Sequence, residues 1–302
     1  MSSLSIGLVG LPNVGKSTLF NALTFSAVKA DDYEFCTIDP NIAFAKVIST
    51  ELNALSIITK SERTIPASIK IIDIAGLIEG AHQGQGLGNA FLSHIRSVSA
   101  IAHVVKGFGE KNTIKQDLDL IRTELLLADI QSLEKNKNKS KRKETESLLK
   151  SMLSGETASE YAFRTGEDIR EYQLLTAKPS FVVVTLDSKS DNTNLHIEGI
   201  NQDVEYVNLS DISLMQFVKT ARNALGLIPF YTTGPKETRE WLVHQGATAK
   251  EAAGKIHSDF ENKLVRMQYA HLSEYLQDQK MKTTKSSFIM EPNLVVIFMV
   301  KS

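Results

Sequence analysis

Gly10-Leu-Pro-Asn-Val-Gly15-Lys16-Ser17 is the stretch that decides the fold. It fits G-x-x-x-x-G-K-[ST], follows the strand-like run Leu4 to Val9 and precedes a helical run from Thr18 to Thr24, which is the strand, loop and helix context the motif requires. Its glycines let the backbone wrap phosphate oxygens, the turn aims N–H groups at them, and the helix N-terminus adds a favourable dipole. In this reading Asn13, Val14, Gly15, Lys16, Ser17 and Thr18 line a phosphate cradle. Lys16 reaches the β- and γ-phosphates and the Ser17 hydroxyl binds Mg²⁺.

Outward from that loop, short apolar runs alternate with helical patterns, the texture of a parallel sheet with crossover helices and hence of an α/β fold. Strands are expected at Ala43 to Val47, Lys70 to Ile74, Ala100 to Val105, Phe181 to Thr185 and Glu205 to Asn208. An insertion interrupts this series from about Asp117 to Ala177, where Leu118, Ile121, Leu125 and Ala128, then Leu148, Met152 and Leu153, recur at helical spacing. Two antiparallel helices are expected, with Lys135-Asn-Lys-Asn-Lys-Ser-Lys-Arg-Lys143 at the hairpin tip. That basic run is either a solvated turn or a contact to an RNA backbone. After Gly226-Leu-Ile-Pro229 the pattern becomes mixed, with strands at Pro229 to Thr232, Arg239 to Val243, Leu264 to Ala270 and Leu294 to Val300. Thr248 and Glu251 have the spacing of a capping box on a short helix that runs to His257.

Composition narrows the classes. The 302 residues suit about two domains, and 34 Lys plus Arg against 35 Asp plus Glu give a formal charge of -1, with no global attraction for nucleic acid or membrane. No apolar stretch approaches the roughly 18 residues needed to span a bilayer. Met1 to Ile6 lacks the basic and apolar segments of a signal peptide, and Cys36 is the single cysteine, so a cytoplasmic setting is expected.

Asp73-Ile-Ala-Gly76 ends an apolar strand, where a D-x-x-G turn sets the carboxylate near Mg²⁺ and the Gly76 amide near the γ-phosphate. Thr37, in Phe35-Cys-Thr-Ile-Asp-Pro40, is a further candidate Mg²⁺ ligand, with a strand-entry cap as the alternative.

These motifs, with Asp73-Ile-Ala-Gly-Leu-Ile-Glu-Gly-Ala-His-Gln-Gly-Gln-Gly-Leu-Gly-Asn89, His103-Val-Val-Lys-Gly-Phe108, Tyr231-Thr-Thr-Gly-Pro-Lys-Glu and Gly246-Ala-Thr-Ala-Lys-Glu-Ala-Ala-Gly-Lys-Ile-His-Ser-Asp-Phe260, resemble the YchF subfamily of Obg-related P-loop NTPases. The resemblance implies a G-domain at 1–116 and 178–227, an inserted helical hairpin at 117–177, and a C-terminal α+β TGS domain of β-grasp, ubiquitin-like form at 228–302. It also implies ATP hydrolysis, often in preference to GTP, and association with the ribosome and its rRNA. No DNA or membrane partner is expected.

This chain departs from the pattern in three places. The hairpin is shorter than the family's coiled coil. Lys115 falls where some bacterial members carry a histidine proposed to assist hydrolysis. In place of N-K-x-D or N-x-x-E, Phe181 to Ser188 aligns Thr185 and Ser188 with the base-reading ends; Asp187 in a shifted alignment, or backbone groups near Leu209 and Ser210, are the alternatives.

Leu77 stands where Ras-type enzymes use a water-orienting glutamine. His82 in the Gly-rich loop is a lesser candidate for that task, and His103 reads as a packed residue at a strand end. Lys16 and Gly76 are therefore the catalytic candidates. Two readings stay open: an ATPase, or alternatively a GTPase, acting as a conformational switch, and a nucleotide-gated RNA-binding module with negligible turnover. Asn13 matches the asparagine that helps bind K⁺ in related cation-dependent NTPases, and a monovalent cation there would stabilise transition-state charge that Leu77 cannot. Hydrolysis is expected to run faster in K⁺ than in Na⁺ at equal ionic strength; equal steady-state rates would return Asn13 to a loop-shaping role.

Overall fold

The computed structural model describes residues 4–25, 41–46, 49–74, 87–108, 113–135, 142–186, 204–208 and 214–300. The chain forms two compact units, Met1–Phe44 with Lys70–Ser213 and Ala45–Ile69 with Leu214–Ser302.

In the first unit β1 (Ser5–Gly10) leads into α1 (Lys16–Phe25), and β2 (Ile42–Lys46) follows. The chain then forms α2 (Thr50–Thr59) and β3 (Arg63–Ile65), which belong to the second unit, before returning as β4 (Ser68–Asp73). Helix α3 (Leu87–Ser97), β5 (Ala100–Lys106), β6 (Ser180–Leu186) and β7 (Val204–Asn208) complete a six-stranded sheet of order β2-β4-β1-β5-β6-β7. The β4/β1, β1/β5, β5/β6 and β6/β7 pairs are all parallel. Every residue of β1 is buried, as expected for a central strand covered on both faces.

The insertion begins with α4 (Ile114–Lys135), whose two halves pack differently. Ile121, Leu125 and Ala128 join Val9, Ile74, Phe91, Ile95 and Ile101 over the sheet. Leu126, Ile130 and Leu133 instead pack with Leu148, Leu149 and Met152 of α5 (Arg142–Leu153) and Tyr161 of α6 (Ala158–Thr165). The expected pair of helices is thus joined by a third, started by a Thr157/Glu160 capping box. Asp129, wholly buried on α4, accepts hydrogen bonds at 2.8 Å from the Leu175 N–H and from the N–H and hydroxyl of Thr176, tying the end of the insertion back to its first helix. Residues 136–141 of the basic run lie outside the described residues.

The second unit continues with α7 (Leu214–Ala224), β8 (Leu227–Thr233), β9 (Glu237–His244), α8 (Ala249–Ile256), α9 (Ser258–Lys263), β10 (Leu264–His271), α10 (Leu272–Asp278), β11 (Lys282–Lys285) and β12 (Leu294–Val300). Its sheet order is β11-β10-β12-β8-β9-β3. A hairpin, a helix and a last strand running parallel to the first make a β-grasp: β8 and β9 are antiparallel, β12 is parallel to β8, and α8 contributes Ala249 and Ala252 to the core with Phe230 and Val296. The capping box expected at Thr248 and Glu251 is formed.

The structure draws the domain boundary elsewhere than at 228, because 45–69 and 214–227 fold with the C-terminal unit. Strand β3 pairs in parallel with β9, from Arg63 opposite Glu237 to Ile65 opposite Arg239. Leu52 and Leu55 of α2 are buried with Tyr231, Leu272 and Val295. Arg222 of α7 donates to both carboxylate oxygens of Glu240 on β9, at 2.8 and 2.9 Å, and the Ala67 N–H donates to the same carboxylate at 3.1 Å. Glu240 is 1% exposed, so removing its cation leaves a charge with no access to water. Arg222→Ala is expected to lower stability by about 3–5 kcal/mol, while replacing both partners with apolar residues of similar volume recovers most of the loss. Urea unfolding of the two variants measures this; a single variant within ~1 kcal/mol of the parent would contradict it.

Candidate nucleotide-binding site

The cradle forms where β1 stops. Leu8 of β1 lies opposite Asp73 of β4, and Gly10 lies opposite Val104 of β5. From β1 the chain passes through α1 toward β2 at one edge of the sheet, whereas from β5 it passes through α4 toward β6 and β7 at the other, so the order reverses between β1 and β5, the switch point at which open α/β sheets bind ligands beyond the carboxyl ends of their strands. A Cβ on Gly10 would stand 2.5 Å from the Val104 carbonyl oxygen, so the position admits glycine alone without backbone movement. Asn13 and Gly15 take φ of 65° and 86°, left-handed values that Asn tolerates and Gly adopts freely.

Two anchors hold the loop. The Val14 side chain is buried at 3% exposure, and its carbonyl accepts a hydrogen bond at 2.6 Å from the Thr185 hydroxyl of β6. The Val105 carbonyl lies 3.1 Å from the same hydroxyl, whose single proton favours the nearer oxygen. On the other side the Gly15 carbonyl accepts from the Leu19 N–H at 2.9 Å, closing the first turn of α1. That turn carries no acidic residue, and Ser17 and Thr18 are exposed on it. The free N–H groups and the helix dipole therefore present positive potential to solvent, a ready site for an anion.

Lys16 turns to Asp73, with Nζ against Oδ1 in an ion pair whose side chains are only 10% and 15% exposed. The Asp73 backbone is itself held by its N–H to the Asn41 carbonyl at 2.9 Å. A cation fit for a phosphate and a carboxylate fit for a hard metal thus stand side by side at the mouth of the cradle. Ser17 and Asp73 supply the oxygen donors that Mg²⁺ prefers, of the kind it takes alongside substrate phosphates.

Of the candidate residues, Asn13, Val14, Gly15, Lys16, Ser17 and Thr18 share this loop and helix, and Asp73 joins them from β4. Thr185 comes in from β6 beneath the loop. It has no exposed surface, and its hydroxyl is turned to the loop. Its hold on the Val14 carbonyl was not legible in the sequence, since it links residues 171 apart. Gly76, Thr37, Ser188 and Leu209, with Leu77, His82, Cys36, Asp187 and Ser210, lie outside the described residues. Lys115 is exposed in the first turn of α4. His103 is packed within β5 at 8% exposure; burial pushes it down to about 4, and it is neutral at physiological pH.

A parallel sheet with this loop at its switch point, joined to a β-grasp unit, defines a P-loop nucleoside triphosphatase with an appended C-terminal domain. Residues 5–140 match a family model described as a 50S ribosome-binding GTPase, and 227–293 match a YchF GTPase C-terminal model described as a protein of unknown function. The chain is 34% identical to the ribosome-binding ATPase YchF of Bacillus subtilis (strain 168), over 94% of this chain and 93% of that protein. It is 32% identical to its namesake from Escherichia coli O157:H7, over 89% of each. The solved structure of the Schizosaccharomyces pombe YchF GTPase superposes with a TM-score of 0.77 at 27% identity, covering 99% of this chain and 98% of that one. The chain belongs to the YchF family.

Thr185→Val keeps the shape but leaves the Val14 carbonyl buried without a donor. It should cost ~1–3 kcal/mol in stability and, by loosening the loop, about tenfold in nucleotide affinity, the equivalent of ~1.4 kcal/mol. Lys16→Ala should abolish tight triphosphate binding in a protein that still folds, with some loss of stability because Asp73 is left without its cation. Calorimetric titration with thermal unfolding of both variants reads these effects, and unchanged affinities would refute the site.

Proposed function

We propose that this chain is a Mg²⁺-dependent P-loop hydrolase that accepts ATP at least as readily as GTP and works as a ribosome-associated switch. The observation that carries the reading is the Lys16–Asp73 pair at the mouth of a cradle braced by Thr185. In use, Lys16 would hold the β- and γ-phosphate oxygens, while Ser17 and Asp73 would hold Mg²⁺ with Thr37, and the Gly76 amide would sense the γ-phosphate. Bound Mg²⁺ supplies charge neutralisation at the phosphates. Asn13 would hold K⁺ where Leu77 offers no polar group.

Acceptance of ATP rests on the base side. GTPases choose guanine with a fixed carboxylate; here the aligned residues are Thr185, whose hydroxyl is committed to the loop, and Ser188, whose hydroxyl either donates or accepts and so imposes no mismatch on adenine. Partner association rests on the names of the relatives and on the basic run at 135–143. The rival reading, an RNA-binding module that holds nucleotide with negligible turnover, draws on Leu77 and Lys115. Single-turnover hydrolysis with and without ribosomes separates the two.

ATP and GTP affinities measured side by side are expected to favour ATP or to be similar, with a ratio well below the roughly 10⁴ of a matched polar pocket. A strong GTP preference would overturn the reading and point to Asp187. Neutralising Lys139, Lys141, Arg142 and Lys143 should also flatten the salt dependence of ribosome co-sedimentation, since fewer counterions are released.

A further inference from the structure

On the second unit's sheet, cover stops partway along β12. Leu294 and Val296 turn to the core that α8 closes, while Val295 turns to the other face, where Leu52 and Leu55 of α2 and Leu272 of α10 bury it. Side chains alternate along a strand, so Ile297 and Met299 follow Val295 onto that face. They are 44% and 43% exposed, against 0% for Val295. The cover that α2 and α10 give Val295 does not extend to them.

Register fills in the surround. Arg266 of β10 lies opposite Met299 on one side and Lys285 of β11 on the other, and Gln268 lies in the same way between Ile297 and Thr283. Val265, the residue that a bulge adds to β10 between Leu264 and Arg266, is also exposed. An aliphatic patch is thus bordered by two cations, and none of these positions is acidic. Arg266 and Lys285 have no ion pair among the described residues, whereas Glu274 and Asp278 of α10 already lie 3.4 and 3.2 Å from Lys282 and Lys280.

Exposed apolar surface rimmed by polar groups marks a docking site, and its chemistry decides what docks. Single-stranded RNA needs rings on which to stack its bases, but Tyr269 and Phe298 of β10 and β12 pack against the core on the α8 face. A second copy paired about a two-fold axis would set the same patch against itself, cations facing cations. The face instead complements a segment with aliphatic side chains along one stripe and carboxylates beside it, which is the surface of an acidic amphipathic helix.

We propose that this open end of the sheet, with Ile297 and Met299 at its centre and Arg266 and Lys285 at its border, docks an acidic amphipathic helix of a partner protein. The helix lays its apolar stripe on Ile297 and Met299 and sets its carboxylates against the two cations.

The test uses the full chain with Mg²⁺ and ADP and three fluorescein-labelled probes. One is a helical peptide with Leu at i, i+3, i+4 and i+7 and Glu flanking that stripe; the second carries Lys in place of Glu; the third is a single-stranded oligouridylate. Fluorescence anisotropy should show saturable binding of the acidic peptide that weakens as salt is raised. Ile297→Glu and Lys285→Glu, both changes at exposed side chains, should each weaken that binding at least fivefold with ADP affinity and melting unchanged. The oligouridylate, which the basic run at 135–143 is free to bind, should respond to neither variant. The proposal is overturned if the acidic peptide does not bind, if both variants bind it as the parent does, or if the basic peptide or the oligouridylate is the probe that the variants weaken.

Discussion

The burial of β1 is the constraint on which the first unit depends. A strand with all six residues out of water needs a strand on each edge and cover on each face; β4 and β5 take its edges, α3 and α4 together cover the face that carries Val9, and α1 also packs against the strand. The same closeness leaves room for no side chain at Gly10 against the Val104 carbonyl, and the loop opens directly beyond it. The cradle is thus a product of packing, and its left-handed residues, Asn13 and Gly15, sit on a foundation that cannot shift. Thr185 transmits that rigidity from two strands away by holding Val14 from below.

Electrostatics at the site follows from the same placement. Register sets Asp73 beside Leu8, and α1 begins at Lys16, so the ends of two elements bring an acid and a base together while most of their surface is removed from water. In such surroundings each charge is worth more to a partner than it would be in the open. A magnesium triphosphate carries both signs and is able to satisfy both groups at once.

Much of this was legible beforehand, for reasons that can be traced to particular residues. The strands at Leu4 to Val9 and Ala100 to Val105 were readable because a strand buried on both faces is written as a nearly continuous apolar run, and the one at Lys70 to Ile74 because its buried Ile71 alternates with less buried neighbours. The Thr248 cap was readable because its partner is three residues away. Helix α2 was missed, although Ser49 caps it, Glu51 lies in its first turn, and Leu52 and Leu55 mark its buried face. The three residues of β3 are partly exposed and carry no period of their own. Their place is set by β9, which no local pattern reveals. The same holds for Thr185, where a hydroxyl in an apolar strand signals only that some partner exists.

The pairing of β3 with β9 has a consequence for how the molecule comes into being. On the ribosome α2 and β3 emerge early, yet the strand they await is distant: the Thr59 and Thr233 hydroxyls that meet in the finished unit are 174 residues apart. Until β8 and β9 arrive, Leu52 and Leu55 have nowhere to bury, and the nascent chain must carry them exposed through synthesis of the whole sheet of the first unit. A protein released just short of residue 230 would hold a finished phosphate loop and, between β2 and β4 in sequence, an open, sticky segment, so truncation near the C-terminal unit should be felt as aggregation before it is felt as lost chemistry.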